Sequence, residues 1–121
     1  MAARPMTLRA RRCLFTFNLA RLIAWVNMQK GYTCSLSEAL RPQWVAEKYA
    51  EEGKGSRVSL HIDGLAVDLN IYKEGVYLTK SEDYEFAGAY WKTLDPDNRW
   101  GGDIESLRDG NHFSCSPDKR I

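Results

Sequence analysis

The stretch SLHIDGLAVDLNIY, residues 59–72, contains the clearest strand of the chain and one of its 2 histidines. Leu65, Val67, Leu69 and Ile71 alternate with Ala66, Asp68, Asn70 and Tyr72, and successive side chains of an extended strand point to opposite faces. The first set predicts a face buried on a core. The second puts Asp68 on the polar face. Between His61 and Asp68 an unbroken strand would measure about 23 Å, with the two side chains on opposite faces. Asp63-Gly64 predicts the bend that avoids this, because glycine reaches positive φ without steric cost. His61 then ends one segment and Asp68 lies inside the next.

Around this strand the chain reads as a single α+β domain over residues 1–121, with about three helices and a small antiparallel sheet. From Thr7 to about Lys30, the residues Leu8, Phe15, Leu19, Leu22, Ile23 and Val26 recur at helical offsets, with Thr7 as cap and Gly31 as stop. Tyr32 to Ala39 predicts a strand. Arg41-Pro42 opens a second helix through Trp44, Val45 and Tyr49 to about Glu52, closed by Gly53-Lys54-Gly55. Glu74-Gly75 turns the central strand back into Val76, Tyr77 and Leu78, and Ser81 is read as the cap of a third helix carrying Tyr84, Phe86, Ala87, Tyr90, Trp91 and Leu94. Asp95-Pro96-Asp97-Asn98 ends that helix. Trp100-Gly101-Gly102 and His112 to Cys115 read as short strands joined by a polar loop that holds Asp109. Trp25, Trp44 and Trp91 are assigned to core or helix packing, and Trp100-Gly101-Gly102 to close backbone approach.

A chain of 121 residues with 44% apolar composition buries roughly two thirds of its unfolded surface and folds without staples. Its 17 basic and 16 acidic residues, a formal charge of +1, give no global attraction to nucleic acid. Arg4, Arg9, Arg11, Arg12 and Arg21 crowd one end and read as a solvated helix face or as a contact for an anionic envelope surface. Cys13, Cys34 and Cys115 are odd in number and unpatterned in spacing, which argues against a disulfide framework and against a Cys-x-x-Cys zinc site. No apolar run has the character of a signal peptide or a membrane span. The expectation is synthesis in the cytoplasm, no stable membrane insertion and, by default, a monomer.

Both histidines fall in motifs that also carry acids: His61 with Asp68, and Asp109-Gly110-Asn111-His112. Aspartate is disfavoured in strands, yet Asp68 sits amid Leu-Ala-Val and Leu-Asn-Ile, where a metal or a partner would account for it. Zinc takes imidazole nitrogen and carboxylate oxygen, and a catalytic zinc keeps one of four positions open to water. His61, Asp68 and His112 are the three ligands such a site requires. Water in the open position, its pKa lowered toward about 7, would attack an amide, and Asp109 would take its proton and hand it to the leaving amine. Cys115 lies at an odd offset from His112 and so faces away, into the core.

SLHIDGLAVDLNIY, together with the later WGG and DGNHFS, resembles the zinc D-Ala-D-Ala carboxypeptidase and L-alanyl-D-glutamate endopeptidase family, in its small phage endolysin-type branch. The similarity covers most of the chain. The family pattern of Ser-x-His, a following Asp, and an acidic residue shortly before a final His falls on Ser59, His61, Asp68, Asp109 and His112. Asp109 stands where carboxypeptidase relatives carry Glu and phage lysins carry Asp. The SEALRP segment resembles the GEAYRP of the phage branch, with Leu40 replacing an aromatic, and puts Arg41 at the family's substrate-facing arginine. The resemblance implies a hedgehog/DD-peptidase-like fold, zinc as cofactor, bacterial peptidoglycan as substrate, and hydrolysis of a stem-peptide amide in cell-wall lysis after release or virion delivery. Arg41 would polarise the scissile carbonyl, and Ser59 would bond the substrate. Two other readings stay open on the residues: a non-catalytic envelope-binding or virion structural module that keeps the metal site, and a nucleic-acid binder using the N-terminal arginines. A purely structural zinc site tends to be closed by four protein ligands and has no use for a base, which favours the enzyme.

Overall fold

The alternation in residues 65–72 becomes the central strand of an antiparallel sheet. The computed structural model describes residues 6–39, 42–53, 60–105 and 108–118. In chain order the elements are helix α1 (Leu8–Met28), strand β1 (Tyr32–Glu38), helix α2 (Gln43–Glu51), strands β2 (Ala66–Lys73) and β3 (Val76–Tyr77), helix α3 (Glu85–Leu94), and strands β4 (Asn98–Trp100) and β5 (His112–Cys115). The sheet order is β1-β2-β5-β4, with β3 folded back on β2. Glu74 (φ 48) and Gly75 (φ 77) make the β2–β3 turn, and two positive φ values in succession match the twist that a tight hairpin needs.

Leu65, Val67, Leu69 and Ile71 are buried, while Asp68, Asn70 and Tyr72 are only partly so. The buried set joins Phe15, Leu22 and Val26 of α1 and Ala87 and Trp91 of α3 in one core. Trp91 is its keystone. Its ring meets Phe15 edge-on at 5.5 Å and Phe113 at 6.2 Å, and its Nε1 donates to the carbonyls of Arg99 (3.2 Å) and Ser114 (3.0 Å). Helix α3 is thereby fixed to both β4 and β5. Trp25 stacks on Tyr90 with centroids 4.4 Å apart, joining α1 to α3. At the start of α1, Thr7 Oγ1 accepts from Ala10 N at 3.1 Å, as a capping hydroxyl does.

Four local expectations change. Ser81 does not cap α3: it begins a 3-10 turn, Ser81–Tyr84, and its Oγ instead bonds residues 108 and 110 across the molecule. Leu8 stays 43% exposed because α1 meets the core only from Phe15 onward. Trp44 is 69% exposed, since α2 buries none of its described residues. The strand expected at residues 100–102 ends at Trp100, and Gly101–Asp103 form a 3-10 turn. Among the described residues, no helix is long and apolar enough to cross a membrane.

Two tryptophans therefore differ sharply in consequence. Trp91→Ala is expected to cost about 3–5 kcal/mol, read as a lowered denaturant midpoint, because it empties the core and strips two carbonyls of a donor. Trp44→Ala is expected to stay within about 0.5 kcal/mol. The thiols give an independent check on the core. Burial, aided by the charges of Asp95 and Asp97, pushes Cys115 up to about 11, so a thiol reagent should label exposed Cys13 in the folded protein and leave Cys115 untouched.

Candidate metal centre

Strand register brings the first two candidate ligands together. In the β2–β5 pair Asp68 lies directly opposite His112, and opposed residues of an antiparallel pair hold their Cβ atoms about 4.5–5.5 Å apart. His112 Nδ1 lies 3.2 Å from Asp68 Oδ1. The third arrives by the turn: Gly64 N bonds His61 O at 3.3 Å and Leu65 N bonds Leu60 O at 2.9 Å, with Gly64 at φ 70. Arg12 Nε of α1 donates to Asp63 O at 2.6 Å and pins this turn to the body of the fold. His61 Nε2 then comes to 3.4 Å from the same Asp68 oxygen.

The orientation of His61 follows from a strand irregularity. The β1–β2 register shifts between Leu36 and Glu38, leaving Glu38 opposite Asp68. The next residue, Ala39, offers its carbonyl to His61 Nδ1 at 3.0 Å. A carbonyl only accepts, so Nδ1 carries a proton, and Nε2 is the ring nitrogen turned toward Asp68. His61 is 3% exposed and His112 5% exposed. His112 Nε2 is buried with no hydrogen-bond partner among the described residues, so the ring's polar engagement is through Nδ1, the nitrogen beside Asp68.

One ligand atom each from His61, Asp68 and His112 lies within 4.8 Å of the others, so the group could hold a metal ion. Donor atoms around a tetrahedral ion with bonds of about 2.0–2.1 Å stand about 3.3 Å apart. The two separations to Asp68, 3.4 and 3.2 Å, match that value. Burial pushes the Asp68 carboxyl up, but hydrogen bonds from His112 and His61 and the imidazole charges outweigh it and bring the group to about 2. Asp68 is therefore an anionic donor throughout the neutral range. Cys115 belongs to the core, away from this cluster, as its strand parity predicts.

Asp109 comes from the loop ahead of β5. Burial raises its carboxyl and the charge of Asp68 raises it further, while His112, His61 and a backbone hydrogen bond from Asn111 pull the other way. The loop is clamped on three sides. Asp109 N bonds Gly101 O at 3.2 Å and His112 N bonds Asp109 O at 3.1 Å, while Trp100 Nε1 donates to Gly110 O at 2.7 Å. A Cβ added to Gly101 would run into the Asp109 carbonyl and come within 2.8 Å of His112 Cβ. Gly101 is thus required by close backbone approach, the role expected of the WGG run.

Arg41 and Ser59, the two expected substrate contacts, lie outside the described residues. His61, Asp68 and His112 are brought to one place, and Asp109 lies near enough to feel their charges. The Ala39 carbonyl escaped sequence reasoning, because a main-chain acceptor exposed by a bulge leaves no trace in residue type.

The sequence model of a family described as D-alanyl-D-alanine carboxypeptidase matches residues 52–115, a span containing all four of those side chains. No curated protein matches the chain in sequence. Among solved structures, the fold is similar to the Serratia marcescens L-Ala D-Glu endopeptidase ChiX, with a TM-score of 0.72 and 22% identity over 89% of this chain and 82% of that one. This likeness bears out the α+β, peptidase-like fold.

Gly101→Ala is expected to displace the 109–110 loop. Amide hydrogen exchange at Asp109 and Gly110 should quicken, with a loss of stability of about 1–3 kcal/mol. Unchanged protection at both amides would contradict the close approach.

Proposed function

The chain belongs to the D-alanyl-D-alanine carboxypeptidase family of peptidases, and from that premise we propose that it is a zinc peptidase hydrolysing an amide bond in peptidoglycan stem peptides. The observation that carries this reading is the convergence of His61 Nε2 and His112 Nδ1 on one oxygen of Asp68 at ligand spacing. His61, Asp68 and His112 would hold the ion. Zinc, when bound, supplies Lewis-acid chemistry that acidifies water toward a pKa of about 7 and polarises a carbonyl.

The protein's own side chains divide the remaining work. His61 keeps its Nδ1 proton on Ala39 O, which locks the ring with Nε2 toward the cluster. Asp109 takes the proton of the attacking water on a carboxylate oxygen and delivers it to the leaving nitrogen. The two aspartates suit different tasks because their surroundings drive them apart: Asp68 is held at about 2 and Asp109 is raised. Arg41 and Ser59 are proposed, from the family resemblance, to contact the scissile carbonyl and the substrate backbone.

The wider reading is a phage lysin, made in the host cytoplasm and acting on the wall after release or virion delivery. Residues 1–121 would work as a single monomeric domain. The leaving-group chemistry accommodates either an L-Ala-D-Glu or a D-Ala-D-Ala linkage.

Purified protein incubated with muropeptides and zinc should release new amine ends, and a chelator should abolish the release. No new ends under any metal condition would reject catalysis. Zinc at 100 times its Kd should also stabilise the fold by about 2.7 kcal/mol, seen as a raised Tm. Asp109→Asn should keep that rise and lose at least about 100-fold in kcat/KM, whereas His61→Ala should lose both. Equal loss of zinc binding in the two variants would overturn the division of roles.

A further inference from the structure

We infer that Asn70 and Asn111 are positioning residues for the proposed base, together tying the Asp109 loop to the strand that carries Asp68. The inference rests on the zinc-peptidase reading and adds to it how the base and the metal ligands are held in one frame.

The side chains of the proposed reaction stand on two supports. Asp68 and His112 face each other across the β2–β5 ladder. Asp109 lies in the loop ahead of β5, and that loop is gripped by Gly101, Trp100 and Ser81, which belong to the turn after β4, to β4 itself and to the turn ahead of α3. None of these grips refers the loop to β2. A base has to meet its water within hydrogen-bond reach, and a misplacement of about 1 Å costs up to about 100-fold in rate.

Asn111 supplies the missing tie. Its carbonyl accepts from Leu69 N at 2.8 Å, and its Nδ2 donates to Asn70 Oδ1 at 3.2 Å. Among the described residues, both bonds from the loop to β2 run through this one residue. Its main-chain N–H in turn bonds the Asp109 carboxylate. One asparagine thus touches the base on one side and the ligand strand on the other.

The side-chain bond is not what strand geometry gives by default. Asp68 pairs with His112, so a strand continued one place back would set residue 111 opposite Leu69 and point both into the core. Leu69 is buried, but Asn111 and Asn70 are partly exposed. The turn ahead of β5 therefore takes Asn111 out of the ladder's parity and onto the polar face. Asn70 is waiting there, on the same face as Asp68 and about 7 Å further along the strand. Asparagine suits the position because it tolerates turn backbone and carries a donor that can reach across.

The test removes the bond and then restores it. Asn70→Ala deletes the acceptor, whereas Asn70→Asp keeps an acceptor oxygen at the same place. In the zinc-loaded protein acting on a muropeptide, Asn70→Ala should lower kcat about tenfold and leave KM and the zinc Kd within about twofold. Asn70→Asp should recover most of that loss. Asn111→Ala should match Asn70→Ala, and the double alanine variant should lose no more than either single one, because the same bond is removed once. In the metal-free protein, amide exchange at Leu69 and Asn111 should quicken about tenfold in Asn70→Ala and slow again in Asn70→Asp. An unchanged kcat in Asn70→Ala, a loss that Asn70→Asp does not recover, or an equal loss of zinc affinity would overturn the positioning role. If the unaltered protein cleaves no muropeptide while the two amides respond as stated, the peptidase reading falls and the tie remains. If cleavage stands and the amides do not respond, the tie falls and the peptidase reading remains.

Discussion

The pairing of Asp68 with His112 across the β2–β5 ladder is the constraint on which the site depends. Side-chain direction in a strand has a period of two, so a slip of one residue would send every alternate side chain to the other face. Here that slip would turn Asp68 into the core and Val67 out of it. The apolar set Leu65, Val67, Leu69 and Ile71, all buried, penalises such a slip by the hydrophobic cost of exposing them. The core thereby enforces the register, and the register delivers a carboxylate oxygen to within 3.2 Å of an imidazole nitrogen. Fold stability and site geometry are the same fact seen from two sides of one strand.

Around this pair the backbone supplies what side chains alone could not. A bulge in β1 shifts its pairing by one place and frees the Ala39 carbonyl to hold His61. A glycine turn, pinned by Arg12, returns the chain so that His61 faces the strand that follows it. Gly101 lets the Asp109 loop lie against the turn after β4, where Trp100 grips it. These are short, local devices on rigid elements, the arrangement that holds a reactive constellation to tight tolerances.

Most of this was legible in the sequence where a periodic signal existed. The alternation over residues 65–72 foretold the buried and polar faces, and Asp63-Gly64 foretold the bend, because both follow from the two-residue repeat and from glycine's access to positive φ. Helix α1 is legible from its apolar offsets and begins at Leu8 behind the Thr7 cap, though Leu8 itself stays exposed because the buried face starts at Phe15. The failures share a cause. Ser81 reads as a cap from its neighbours in sequence, but its hydroxyl is claimed by residues 108 and 110. Trp44 reads as a packing residue from its size, but α2 has no buried face among its described residues. The Ala39 carbonyl on His61 and the Ser81 hydroxyl on the 108–110 loop depend on contacts between distant segments, which residue type does not encode.

The central claim is that His61 Nε2, Asp68 Oδ1 and His112 Nδ1 grip one zinc ion. Long-range ¹⁵N–¹H spectra of the two imidazoles, recorded with and without one equivalent of zinc, test it most directly. The account predicts that zinc perturbs Nε2 of His61 while its Nδ1 keeps the proton, and perturbs Nδ1 of His112 while its Nε2 carries the proton. Zinc that leaves both ring patterns unchanged, or that engages only one of the two histidines, would contradict it.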